Sequence, residues 1–168
     1  MKAFVLCHTH WDREWFLTSD YTNEWLVKLF ERLFEILEKD EDYIFILDGQ
    51  TLIIEDLLSV APQYESKVRR LIEEGRLIIG PVYCQIDWRI SPEYAVWENF
   101  FIGKKDMGRF KAKKFCGWFV DNFGQISQLP QLLKKFGVDC AFVWRGVNPK
   151  EDGKEKLSTY GKLQMDLR

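Results

Sequence analysis

The residues best equipped for chemistry stand near the start of the chain, in His8-Thr9-His10-Trp11-Asp12-Arg13-Glu14-Trp15. An apolar run, Ala3-Phe4-Val5-Leu6-Cys7, leads straight into them. A strand sends alternate side chains to one face, so His8, His10 and Asp12 can point the same way. Imidazole and carboxylate groups together at a strand end make half of a metal site. Zinc, or another divalent transition metal, is the natural ion for that donor set. Both histidines of the chain fall in this motif. Trp15 adds an aromatic face of the kind on which sugar rings pack. The competing reading is plain: a histidine in an apolar strand also serves as a hydrogen-bonded core residue.

Four more polar groups follow apolar runs further along: Asp48, Asp87, Asp121 and Arg145. Asp121 is the best third metal ligand, in a turn with Phe123 and Gly124, and is equally placed to cap a helix or close a turn. Arg145 can hold a carboxylate in its ionised form or bind substrate oxygens. It can also simply cover the sheet end with its aliphatic stem. Asp48 and Asp87 can accept hydrogen bonds from sugar hydroxyls, or cap the helices that follow them.

The elements that must position these groups alternate between strand and helix. Apolar runs at 3–9, 43–47, 76–83, 115–120 and 139–144 read as strands. Between them the pattern predicts helices over 22–39, with Thr22 as cap, and over 51–60 and 62–74, the last closed by Gly75. A further helix starts at Ser91-Pro92 and runs to about residue 107, and another spans 128–136. Such repeats imply an α/β fold, with a parallel β-sheet or an incomplete (β/α) barrel and right-handed crossovers. Loops at the C-terminal ends of parallel strands gather on one rim, where α/β folds bind ligands. His10, Asp12, Asp48, Asp87, Asp121 and Arg145 all fall on that rim.

With 168 residues, 46% of them hydrophobic, the chain can bury one sizeable core. A net charge of -2 argues against nucleic acid as a partner. No apolar run reaches membrane-spanning length, and the N-terminus lacks the pattern of a secretory signal. Cys7, Cys84, Cys116 and Cys140 form no C-x-x-C pair, so buried free thiols in a reducing cytoplasm are expected. Residues 1–149 read as an α/β segment. Residues 150–168 read as a charged tail or loop, and the chain as stopping partway through an architecture.

The opening block resembles the signature of glycoside hydrolase family 38, the class II α-mannosidases. So do Leu47-Asp48-Gly49-Gln50-Thr51, Ile79-Gly80-Pro81-Val82-Tyr83, Gln85-Ile86-Asp87 with Ser91-Pro92-Glu93, Val120-Asp121-Asn122-Phe123-Gly124, Gln128-Leu129-Pro130-Gln131 and Trp144-Arg145-Gly146-Val147. They occur in the family's order and spacing from residue 3 to about 149. The resemblance implies that His10, Asp12 and Asp121 ligate zinc and that Asp121 is also the catalytic nucleophile. It implies that Trp15 carries the mannose ring and that Arg145 stands by the nucleophile. It implies a retaining mechanism with a covalent glycosyl-enzyme, acting on an α-mannoside or a mannose-containing oligosaccharide.

The sequence departs from the family pattern in places. Gln125 stands where many relatives carry His, and Trp97 where Arg is usual. No His follows His10, so the family's fourth zinc ligand, like its general acid, is not identifiable here. The expectation is a catalytic segment that acts with a partner chain. The alternative is an incomplete relic, or a metal-dependent sugar-binding module. An exposed sheet edge would favour a homo-oligomer. A carbohydrate deacetylase ranks lower, because it needs a further His pair.

Overall fold

The computed structural model describes residue 3, residues 5–145 and, as backbone, residues 159–162. β1 (Cys7–Thr9), β2 (Phe45–Leu47) and β3 (Leu77–Ile78) form one parallel sheet in the order β1-β2-β3. β4 (Gly117–Phe119) and β5 (Cys140–Val143) pair in parallel in a second sheet, and β6 (Thr159–Lys162) joins β5 antiparallel. The expected α/β fold with parallel strands and strand–helix repeats is present, with the strands divided between two three-stranded sheets. Among the described residues five α-helices fill the connections: α1 (Ser19–Lys39), α2 (Leu52–Val60), α3 (Glu65–Glu74), α4 (Glu93–Arg109) and α5 (Leu129–Lys135).

Apolar spacing on each helix fixes which layer it joins. Leu26, Phe30, Leu33, Phe34 and Leu37 of α1 are buried with Ile53 and Leu57 of α2 and with Val68, Leu71 and Ile72 of α3. They pack on Phe45, Leu47, Leu77 and Ile79, the outward face of the first sheet. Phe100 and Val96 of α4 and Leu129, Leu132 and Leu133 of α5 enclose Trp88 and Phe119 in a second core. On the opposite face, Ile46 and Ile78 of the first sheet meet Trp118 of the second, with Phe142 beside them. The inner faces therefore converge on one interior, which is the arrangement of a barrel segment.

The strands are shorter than the apolar runs predict. Val5 and Leu6 lie exposed before β1. β3 ends where Gly80 takes φ 70°, and beyond it only a single bridge pairs Val82 with Gln50. α1 begins three residues before Thr22, which is no cap: it is buried in the first turn, and its hydroxyl donates to the Arg13 carbonyl at 2.7 Å. Ser91 lies outside α4, whose cap position is Pro92. A tertiary partner outcompeted the local signal at Thr22. Gly75 closes α3 in the left-handed conformation, as the sequence predicts.

The expected tail at 150–168 lies outside the described residues except for 159–162, where the predicted loop is instead a strand on the edge of β5. The Thr159–Lys162 segment gains that structure from the ladder offered by its neighbour, which no local pattern announces. All four cysteines are free, as expected, but Cys140 is exposed and the other three are only partly buried. No helix among the described residues is long and apolar enough to cross a membrane.

α4 is clamped to the chain after β3. The buried Asn99 side chain accepts from Cys84 N–H at 2.8 Å and donates to the Cys84 carbonyl at 2.9 Å. This close approach needs Gly103, where an added Cβ would lie 2.4 Å from the Pro81 carbonyl oxygen and 2.8 Å from Val82 Cα. Gly103→Ala is expected to lower unfolding stability by about 1–3 kcal/mol. Urea denaturation read by far-UV circular dichroism checks this, through a shifted midpoint at unchanged slope.

Candidate active site

Two ladders deliver the polar groups in pairs. β1 matches Thr9 with Leu47, so the next step sets His10 against Asp48. β4 matches Phe119 with Val143, and the chains emerging above them bring Asp121 to Arg145. The two pairs are joined across the seam between the sheets by Gln85. Its Nε2 donates to the Asp48 carbonyl at 2.5 Å and to the Trp118 carbonyl at 3.1 Å. The seam is tight: at Gly49 (φ 66°) an added Cβ would lie 2.7 Å from the Trp118 oxygen.

His10 is the hub. Its Nδ1 lies 3.1 Å from Asp48 Oδ2, while Nε2 lies 3.3 Å from Asp12 Oδ1 and 3.2 Å from Asp121 Oδ2. The Asp48 side chain is fully buried, whereas those of His10 and Asp121 are 32% and 29% exposed. Asp48 also accepts from the Trp11 backbone N–H and from Gln50 Nε2, both at 2.9 Å. An N–H on Nδ1 directed at Asp48 would leave the Nε2 lone pair facing two carboxylates. Only a second proton or a cation at Nε2 makes that arrangement favourable. Three carboxylates against one arginine, Arg145, carry the same message of excess negative charge.

The hydrogen bond with Asp48 is the main cause that lifts the His10 pKa above its ordinary 6.5, against the opposing effect of burial. Among the described residues no group of three His, Cys, Asp or Glu side chains stands as a ready-made metal centre. What the structure shows is three carboxylates gathered around the His10 ring, an arrangement that favours its protonated form.

Arg145 donates from Nε to Asp121 Oδ1, and its guanidinium lies over the Phe123 ring at 4.6 Å. The Asp121 loop rests on the turn that carries Asp87. Asn122 donates to the Ile86 carbonyl at 3.0 Å, and Trp88 N–H donates to the Phe123 carbonyl at 3.1 Å. Asp87 Oδ1 accepts from the backbone N–H groups of Arg89 and Ile90, and Gly124 (φ 64°) leaves room for that oxygen.

Of the sequence candidates, His10, Asp12, Asp48, Asp121 and Arg145 come together. Asp87 does not join them: it closes a turn supporting the Asp121 loop. Asp48 holds His10, and its buried carboxylate shows no open side for a sugar hydroxyl. His8 turns away to pack its ring 4.7 Å from that of Trp118. Trp15 is 76% exposed with its ring tilted against that of Phe16, so it presents an exposed aromatic face outside the cluster.

Sequence reasoning missed Gln50, Gln85 and Asn122, the amides that lock the rim. Their signal was faint: each is a neutral polar residue beside a singled-out aspartate or within a quoted motif. Arg13 was also passed over. Its Nε donates at 2.8 Å to the nearly buried Asp56 of α2, which pins the loop carrying Asp12 and Trp15.

Comparisons with known proteins point one way. The family model described as the glycosyl hydrolases family 38 N-terminal domain matches residues 1–152. A Halalkalibacterium halodurans protein, provisionally assigned as a mannosylglycerate hydrolase, is 38% identical over 88% of this chain and 17% of its own length. Alpha-mannosidase 2 of Arabidopsis thaliana is 25% identical over 86% of this chain and 13% of its own. The crystal structure of an alpha-mannosidase from Enterococcus faecalis superposes with a TM-score of 0.80 at 33% identity, covering 85% of this chain and 16% of that one. The chain thus spans about a sixth or less of the length of each of these three proteins.

The upward shift of His10 has a definite sign. In the metal-free chain, contacts of the protonated imidazole stabilise the fold below pH 6.5 and are lost as pH rises through the higher folded value. An NMR titration of the His10 ring is expected to give a midpoint above 6.5, and Asp48→Asn to move that midpoint down.

Proposed function

Because this chain belongs to glycosyl hydrolase family 38, through that family's N-terminal domain, we propose that it carries the metal-binding and nucleophile half of a retaining α-mannosidase. The observation that carries this reading is the convergence of Asp12 Oδ1 and Asp121 Oδ2 on His10 Nε2 at 3.3 and 3.2 Å. Ligands about 2.0–2.1 Å from a tetrahedral zinc ion lie about 3.3 Å apart, so an ion can take the place of the shared proton with little rearrangement. Asp48 then plays the outer carboxylate that orients a ligating histidine through its other nitrogen. Zinc, when bound by His10, Asp12 and Asp121, would supply a Lewis acid for paired sugar hydroxyls.

The chain's own residues divide the remaining work. Asp121 attacks the anomeric carbon as a carboxylate, forming a glycosyl ester while the bond to the leaving oxygen breaks. The guanidinium of Arg145 keeps Asp121 anionic and fixes which oxygen faces the sugar. Trp15 offers an apolar face to the ring. A proton for the leaving oxygen and a fourth metal ligand would be supplied by polypeptide outside the cluster described above. That polypeptide, whether a continuation or a partner chain, completes the site. The substrate class is a terminal α-mannoside, from a small glycoside to a mannose-containing oligosaccharide, and free thiols suit a cytoplasmic setting.

Isothermal titration calorimetry of the chain with zinc is expected to show one site, lost in His10→Ala and Asp121→Asn. Its affinity should rise with pH as the His10 proton leaves. For activity, this segment is exchanged for its counterpart in the E. faecalis α-mannosidase and assayed on an aryl α-mannoside. Turnover that falls at least about 10³-fold in Asp121→Asn supports the proposal. Zinc binding without turnover would instead favour a metal-dependent sugar-binding module, and absence of both would sink the two readings together.

A further inference from the structure

The register of the β4–β5 ladder has a second consequence, at the end away from the rim. Gly117 is matched with Ala141, so one step back Cys116 faces Cys140 on the neighbouring strand. Residues matched in this way lie about 4.8 Å apart and project to the same face. Cα separations of about 4.4–6.8 Å accept a disulfide. Both thiols are free, Cys140 is exposed, and Cys116 is partly buried against the cluster of Ile46, Ile78 and Trp118. We propose that Cys116 and Cys140 form a redox-active dithiol that closes to a disulfide across the base of β4 and β5.

The two thiols have different parts. Burial, with a smaller contribution from neighbouring Cys140, pushes the Cys116 thiol up to about 11, which makes it the slower nucleophile. Exposed Cys140 meets the oxidant, a low-molecular-weight disulfide such as glutathione disulfide. Its thiolate attacks one sulfur, forms a mixed disulfide and releases one small thiolate. Cys116 gives its proton to solvent and attacks the Cys140 sulfur, releasing the second small thiolate. Two protein thiols are oxidised, and the external disulfide takes up the two electrons. The same two strands carry Asp121 and Arg145 beyond their other ends, so the bond would staple the ladder that holds the candidate nucleophile to its cation.

The test is glutathione disulfide treatment of the folded, reduced chain, then alkylation under denaturing conditions and peptide mass mapping. One cross-linked peptide pair joining Cys116 to Cys140, lighter by two hydrogen atoms, is expected, with Cys7 and Cys84 fully alkylated. Dithiothreitol should restore all four thiols. Cys84→Ser should leave the cross-link intact, and Cys140→Ser should abolish it while Cys116 stays alkylatable. The wild-type map decides the matter even if a variant fails to fold. Glutathione retained on Cys140 with Cys116 still alkylatable, a cross-link through Cys7 or Cys84, or no oxidation at all would each overturn the proposal.

Discussion

The rest of the site depends on one buried residue at the seam between the two sheets. Asp48 is fully enclosed, and both its side chain and its backbone are committed. Its carboxylate accepts from Gln50, from the Trp11 backbone and from the His10 ring, while its carbonyl accepts from Gln85. Burying a carboxylate is costly unless every lone pair finds a donor. Asp48 meets that demand by drawing in groups from the β1 loop and from the chain after β3. Satisfying one anion therefore fixes the histidine, the loop behind it and the contact with Trp118 in a single arrangement.

That arrangement leaves electrostatic tension at the rim. Asp12 and Asp121 face the same ring nitrogen, and Arg145 pairs with Asp121 from the far side. The surrounding cores are well placed to hold such a cluster. α1, α2 and α3 fill the outer face of the first sheet, and the Trp88–Phe100–Phe119 aromatic group fills the second core. The stability comes from these apolar layers, and the rim can then keep like charges close together. The turn closed by Asp87 extends the same logic, because it carries the Asp121 loop on hydrogen bonds, from the Asn122 side chain to the Ile86 carbonyl and from Trp88 N–H to the Phe123 carbonyl.

Much of this was legible in the chain before folding. Strand ends followed by Asp or His mark the rim, since alternation and the α/β repeat need only local pattern. Helical spacing in α1 located Leu26, Phe30, Leu33, Phe34 and Leu37 of its buried stripe, whereas Trp25, which shares that spacing, is exposed. What was not legible was the division of labour among the carboxylates. Asp48 and Asp87 look alike in sequence, each following an apolar run and preceding a helix. One holds the histidine and the other a turn, because of which amides happen to face them. Thr22 misled for a similar reason: its hydroxyl found a carbonyl nine residues back instead of capping the helix.

The sequence by itself determined the residue types, their order and their placement at the ends of strands, and with these the family resemblance. Those are properties of short windows, where period and turn chemistry suffice. Only the tertiary structure decided that Asp48 holds His10 while His8 packs on Trp118, and that Gln85 ties the sheets. It also supplied the contacts of Asp121 with the histidine and Arg145, which the resemblance only implies. Each of these depends on strand register and on the close approach at Gly49, which brings together groups separated by up to 111 residues (His10 to Asp121). Distance in the chain carries no local signal, so the site exists only once the two sheets have met.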